Sequence, residues 1–390
     1  MGKPAVSIAR CEDPHDFEKV DDAVSRSLTA IGGLETMVTL GDTVLLKPNV
    51  LCAMDYTTGA VTNPHVVRSL CRMLKRIGAG KVCIAEGSTI GCDTGDAFEK
   101  SGYTELASDE KVRLVDLKKA PSLFMGIPNG KVFRRIEIPE IVMKADVIID
   151  VPVMKTHDMI PATLGLKNMK GVLRDKDKKR FHVWGLNQAI VDLNKLVLPQ
   201  ITVIDGTVAM EGLGPIHGRP VNLGLLVSSF DTVAADTVAA CIMGIDPAQI
   251  DHVQLAAQQG LGTSDLANIE VVGMTIESVR RPFEVLHVDY EQYERELGVE
   301  IHESGACSGC RKVMNTLLNN HLKGNYDVWR NRTLIFGQTV KVPRIIKGKL
   351  INFGSCTKKY KNQGDYIAGC PPMQEHVLEY FGMDPNTWND

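Results

Sequence analysis

The stretch ADVIIDVPVMKTHDMIPATLGLKNMKGVLRDKDKKRFH, residues 145–182, decides how the rest of the chain is read. It opens on an apolar, β-branched run from Val147 to Val153, broken only by Asp150 and Pro152. Such a run suits a strand buried on both faces of a parallel sheet. Where it stops, polar and cationic residues crowd in: Lys155, His157, Lys167, Asn168, Lys170, Arg174, Arg180 and His182. Ligands of open α/β sheets bind beyond the carboxyl ends of the strands, so the segment reads as a core strand delivering a basic cluster to a pocket mouth. Lysines after a strand are also what a solvated loop looks like. Two features favour the pocket. Lys155 and His157 are two residues apart and share a face of an extended chain, and Gly165 and Gly171 bracket residues 166–170, where glycine permits close backbone approach. The charged run from Arg174 to Arg180 reads as a mobile, solvated loop able to act as a lid.

Outward from this segment, short apolar runs alternate with helical patterns. Strands are expected at Val6–Ala9, Thr43–Leu46, Lys81–Ala85, Val112–Leu117, Ile201–Ile204, Leu225–Ser228 and Ile269–Val272. Helices are expected at Pro14–Ile31 after an Asp13 cap, at Pro64–Ile77 after an Asn63 cap, and at Asp93–Ser101, Leu186–Leu198, Thr232–Met243 and Gln249–Gln259. The alternation implies an α/β fold, a mostly parallel sheet flanked by helices. Several of these strands end in chemically capable residues: Lys47 and Asn49, Glu86, Lys155 and His157, and Asp205. In a parallel sheet those ends lie on one edge. A strand-terminal Asp is more often a structural acceptor than a catalytic group, so the recurrence carries the inference, not any one residue. The glycine-rich run Glu211–Gly218, which includes His217, matches neither a Walker A loop nor a dinucleotide fingerprint.

The 390 residues are enough for two or three domains, and the net charge of −3 offers no reason to invoke nucleic acid or an anionic membrane. The basic cluster is local and implies a small anionic partner. No apolar stretch is long enough to span a bilayer, and the first residues lack a hydrophobic signal core, so a cytoplasmic location is expected. Homo-oligomerisation stays open. Residues 276–303 are rich in charge and read as a connector, which puts a first domain at 1–285 and a second at 286–390.

The second domain reads as a small α/β module, with strands at Thr333–Phe336 and Leu350–Phe353 and helices from Cys310 to about Leu322 and from Pro371 to Phe381. It also holds the strongest chemical signal. Of ten cysteines, six are scattered among apolar neighbours and read as packing residues. The other four stand in Cys307-Ser308-Gly309-Cys310, in Gly354-Ser355-Cys356 and in Gly369-Cys370-Pro371-Pro372. Thiolates in loops rich in glycine or proline suit zinc or an iron–sulfur cluster. Zinc ribbons use two C-x-x-C pairs, and the second pair here is split.

The order CSGC, then GSC after a strand, then GCPP opening a helix resembles the cluster-binding subunit of respiratory complex I and the small subunit of nickel–iron hydrogenases. That resemblance covers about residues 305–380 and implies that Cys307, Cys310, Cys356 and Cys370 ligate one [4Fe–4S] cluster, with structural zinc as the alternative. Upstream, LLKPNV, VPVMKTH, LKNMKG with a later RFH, and GLGP followed by DTVAADTVAACIMGIDP resemble the family named domain of unknown function 362 over about residues 1–275. The resemblance implies a fold and an association with iron–sulfur modules in anaerobes, not a reaction. That family commonly carries a ferredoxin-type segment with dense C-x-x-C spacing, and this chain departs from it.

Together these readings imply an iron–sulfur oxidoreductase acting on a small carboxylate or phosphate. Lys47, Lys155 and Lys167 would hold the anion and Asn49 and Asn168 would orient it. His157 would donate the proton, since an imidazole titrates near neutral pH, and His182 and His217 stand in reserve. A ferredoxin or flavodoxin would be the electron donor. Two alternatives remain: a non-enzymatic electron carrier or cluster-assembly protein, and a lyase or isomerase of a hydroxy acid with an auxiliary cluster.

Overall fold

A computed structural model describes residues 2–157, 160–285, 290–306, 308–318 and 326–383. The chain divides into two compact units, Met1–Val285 and Leu286–Asp390.

The first unit is built on one eleven-stranded sheet. Its main strands are β1 (Ala5–Arg10), β2 (Thr43–Pro48), β3 (Lys81–Glu86), β4 (Arg113–Asp116), β5 (Val147–Val151), β6 (Val153–Thr156), β7 (Ile201–Glu211), β8 (Leu225–Ser229) and β9 (Glu270–Gly273). They run in the order β9-β1-β8-β7-β5-β2-β3-β4, with β6 continuing alongside β7. Pairings are parallel except where β8 runs antiparallel between β1 and β7 and where two short strands, Ala162–Thr163 and Arg219–Val221, close the edges of β6 and β7. The fold is therefore α/β with a mostly parallel sheet.

The apolar run that begins at Val147 is β5, buried at all five positions between β2 and β7. Successive side chains of a strand point to opposite faces, and both faces are covered here. Leu45, Ile148, Ile204 and Val227 join a core on one face with the helices Leu186–Val197, Thr232–Ile242 and Asp251–Gln258. Val44, Leu46, Ile149, Val203 and Leu226 join a second core on the other, with the helices Phe17–Ala30 and Pro64–Ile77. Each fully buried aliphatic side chain in these layers contributes about 1.5–3 kcal/mol relative to exposure.

Local signals set the helix starts. The Asn63 side chain accepts a hydrogen bond from His65 N ahead of Pro64, as expected. The first helix differs from expectation. It begins at Phe17 with Asp16 as its cap, while Asp13 accepts from His15 N in the preceding turn. The run expected to be a solvated loop, Arg174–Arg180, lies largely in a helix, Asp175–Trp184, with Asp177 and Lys178 buried. Its burial follows from Lys178, which donates to Gly87 O at 2.6 Å and Ser88 O at 2.7 Å and so ties the helix to the chain just beyond β3.

The second unit has its own parallel sheet of four strands in sequence order: Val299–Glu303, Arg332–Phe336, Lys349–Phe353 and Asp365–Ile367. Val299–Glu303 falls inside the segment expected to be a connector. Its apolar positions are spaced by two, and Val299 and Ile301 bury against Leu334, Phe336 and Trp329. No helix among the described residues is long and apolar enough to cross a membrane.

Candidate functional site

The parallel register aligns Lys47 of β2 with Asp150 of β5, and Glu86 of β3 with Asp116 of β4, at the carboxyl edge of the sheet. Lys47 is fully buried. Its Nζ donates to Glu86 Oε2 and to Pro48 O, both at 2.8 Å. Glu86 also accepts from Val50 N at 3.0 Å and Gly87 N at 2.7 Å. A buried pair of this kind persists only when its remaining lone pairs are satisfied, and those backbone donors satisfy them. Lys47 was expected to hold the anion, and the structure engages it in this interior pair instead.

From here a chain of side-chain amides runs across the edge. Lys155 Nζ donates to Asn49 Oδ1 at 2.5 Å, Asn49 Nδ2 donates to Asn168 Oδ1 at 3.0 Å, and Asn168 Nδ2 donates to Asp150 Oδ1 at 2.7 Å and to Lys47 O at 3.2 Å. Bonds that point the same way polarise one another. Asp150, in the middle of the apolar run, has no exposure, and burial raises its pKa well above the usual carboxylate range despite the Lys47 charge. Its Oδ2 has no hydrogen-bond partner among the described residues.

Lys155 is 2 % exposed, and its second acceptor is Ala60 O at 2.6 Å. No carboxylate among the described residues bonds it. Burial first, and then the nearby Lys167 charge, bring its pKa down to about 7. The amine can therefore act either as a cation or as a base near neutral pH. Lys167 is half-buried on the four-residue helix Gly165–Asn168. The helix is pinned by Asp236, whose two carboxylate oxygens accept from Gly165 N at 2.7 Å and Leu166 N at 3.0 Å. Burial raises the Asp236 pKa to about 7 against those donors.

His157 is buried one residue past β6. Thr156 Oγ1 donates to Gly212 O at 2.9 Å, which brings the glycine-rich loop over this strand end. His217 stands exposed on that loop. His182 is half-buried on the Asp175–Trp184 helix, where its Nε2 is hydrogen-bonded to Lys170 Nζ. Asp205 is a structural acceptor, taking bonds from Asn63 N, Thr207 N and Thr207 Oγ1. The structure thus brings Lys155, Asn49 and Asn168 into direct contact and sets Lys167 near them.

Sequence reasoning missed Asp150 as a member of this network, and also Asp236, Lys178 and His252. The first two left a signal: a single carboxylate in an otherwise apolar strand, and another in the apolar helix DTVAADTVAACI. Charges are rarely buried without a purpose. Lys178 and His252 left none, because each is buried by contacts distant in sequence.

In the second unit, three cysteine-bearing segments meet beyond the carboxyl ends of the strands. Cys310 is buried near the start of the Ser308–Thr316 helix, and its Sγ lies so close to Gly354 that a Cβ there would stand 2.9 Å away. A Cβ on Gly309 would stand 3.1 Å from Pro371. Ser355 N donates to Gly369 O at 2.7 Å, and Gly354 N to Ile367 O at 2.9 Å. Cys356 is half-buried and Cys370 exposed. Cys307 lies outside the described residues. Among the described residues no group of three or more His, Cys, Asp or Glu side chains is arranged to hold a metal ion. Three thiols on converging loops are nonetheless the soft donors that an iron–sulfur cluster or zinc requires.

A thylakoid-associated protein of Synechocystis is 31% identical over 246 residues, which span 62% of this chain and 74% of that protein. Two solved structures show distant likenesses. A protein of Thermotoga maritima aligns with a TM-score of 0.39 at 14% identity, and the apoprotein of lactate racemase from Thermoanaerobacterium thermosaccharolyticum with a TM-score of 0.42 at 13% identity. Each likeness covers 63% of this chain, and the chain spans 60% and 58% of their respective lengths. Residues 44–241, the span from β2 to the end of the Thr232–Ile242 helix that holds the amide chain and Asp236, match the family described as "Domain of unknown function (DUF362)", and the chain belongs to that family.

Proposed function

We propose that the chain is an iron–sulfur redox protein whose first unit binds a small anionic molecule and whose second unit carries a [4Fe–4S] cluster. The observation that supports the cluster is the meeting of the Gly309–Cys310, Gly354–Cys356 and Gly369–Pro371 segments at one edge of a parallel sheet. Cys310, Cys356 and Cys370 would be ligands, with Cys307 as the fourth. A cluster held by four thiolates supplies one-electron transfer, and a ferredoxin or flavodoxin would be its donor.

In the first unit the chain's own residues divide the remaining work. Lys155 and Lys167 supply charge for a carboxylate or phosphate. Asn49 and Asn168 fix the Lys155 amine in place. His157, buried one residue past β6, is the proton donor for a reductive step. Lys47 and Glu86 form the rigid floor.

A second reading draws on one observation. An amine with a pKa near 7 and no carboxylate partner among the described residues is also a competent base. Lys155 would then abstract a proton from a hydroxy acid, in a lyase or isomerase with the second unit in a supporting role.

The deciding experiment is iron and acid-labile sulfide analysis of protein purified without oxygen, with EPR spectra before and after dithionite. About four irons and four sulfides per chain and a reduced-state signal are expected for a four-thiolate cluster. Zinc without sulfide would overturn the redox reading and leave the Lys155 base as the working mechanism.

A further inference from the structure

His252 stands outside every role assigned above. It is the second residue of the Asp251–Gln258 helix and is 1 % exposed, and neither Nδ1 nor Nε2 has a hydrogen-bond partner among the described residues. Each unsatisfied buried polar group costs about 1–3 kcal/mol, and the great majority of buried polar groups are paired. A position that only filled space would favour leucine or methionine. Its electrostatic neighbours are Lys167 and His157, whose charges add to burial in bringing its pKa down to about 3. The ring is therefore neutral and offers one N–H donor and one bare acceptor. Lys167 in turn acts on Lys155. His252 thus lies within electrostatic reach of Lys167 and His157, which stand on two other elements. Both of its hydrogen-bonding atoms are unused among the described residues.

We propose that His252 is a ligand-contacting residue of the site it shares with His157 and Lys167, its N–H donating to an oxygen of a bound small oxyanion and its other nitrogen accepting from a donor group on the same molecule. The inference rests on the reading of the first unit as an anion site. It narrows the ligand to one that carries an anionic oxygen and an O–H or N–H close together. A 2-hydroxy or 2-amino carboxylate has both, and so does hydrogen phosphate. Acetate lacks the donor and would leave one ring nitrogen unpaired.

The test is calorimetric titration of the full chain with glycolate, acetate and inorganic phosphate, in parallel with thermal unfolding. Wild type should bind glycolate or phosphate more tightly than acetate. His252→Leu should lose about tenfold or more of that affinity, as expected when a hydrogen bond to a charged group is removed. It should also lose the preference over acetate and melt no lower than wild type, because the unpaired imidazole has been replaced by an apolar group. His252→Gln, which keeps a donor and an acceptor, should recover part of the affinity. If the leucine variant does not fold, His252→Asn, polar but shorter, is read in its place and should show the same loss. Wild-type affinity in the leucine or asparagine variant, while Lys155→Ala loses binding, would overturn the role of His252 alone. Failure of wild type to bind any of the three probes would overturn it together with the anion site.

Discussion

Gly171 faces the Glu86 carboxylate so closely that a Cβ at this position would stand 2.2 Å from Oε1 and 2.6 Å from Lys47 Nζ. The turn of residues 169–172 lies directly on the buried ion pair, and only a residue without a side chain lets it do so. Gly171→Ala should therefore destabilise the first unit by about 1–3 kcal/mol, the range for overpacking a dense interior. Urea unfolding checks this through a lower midpoint at an unchanged slope.

The ion pair beneath that turn should respond asymmetrically. Glu86→Ala leaves the fully buried Lys47 ammonium without its carboxylate and should cost about 3–5 kcal/mol. The double change Lys47→Met with Glu86→Leu removes both charges and should cost less than the single one. A double variant as unstable as Glu86→Ala would show that the charge of Lys47 is not what the carboxylate offsets.

Lys155 predicts a pH dependence with a defined sign. Its folded pKa of about 7 lies below that of an unfolded lysine, about 10.4. Between these values the unfolded chain binds more protons than the folded one, so stability gained from this residue rises with pH across that window and is lowest below pH 7. Lys155→Met should flatten the difference between pH 7 and pH 10 relative to wild type and raise stability at pH 7. Anion affinity of the wild type should fall as pH rises through 7, because the bound charge is lost. Parallel denaturation and binding curves for the two proteins test both statements.

Removal of single thiols should separate ligands from packing residues. Cys356→Ala and Cys370→Ala should lose most iron and sulfide. Cys71→Ala and Cys83→Ala should keep both, because burial raises the pKa of those thiols to about 12 and about 11, far from the thiolate a metal needs. Full iron content in Cys370→Ala would remove that residue from the ligand set.

Asp236 makes a prediction that links a helix cap to binding. Asp236→Ala strands the Gly165 and Leu166 N–H groups in the interior and should cost about 1–3 kcal/mol for each. Because those bonds fix the helix that carries Lys167, anion affinity should fall as well. Loss of stability with unchanged affinity would detach Lys167 from the site.

The sequence by itself determined the elements of this protein. Period-two and period-3.6 apolar patterns are local, so β2, β5 and the Pro64–Ile77 helix could be read within a residue or two of where they lie. The same holds for the placement of Lys47, Glu86 and Lys155 at strand ends, since a parallel α/β pattern puts all such ends on one edge. Tertiary structure alone decided what those residues do. Strand order sets β2 between β3 and β5, and only that adjacency pairs Lys47 with Glu86 and points Asn168 at Asp150. Burial of Lys178 and His252, and the use of Asp236 as a cap across 70 residues or more of chain, depend likewise on helices packing over a finished sheet. Such contacts are long-range consequences of closing the core, and no periodicity along the chain records them.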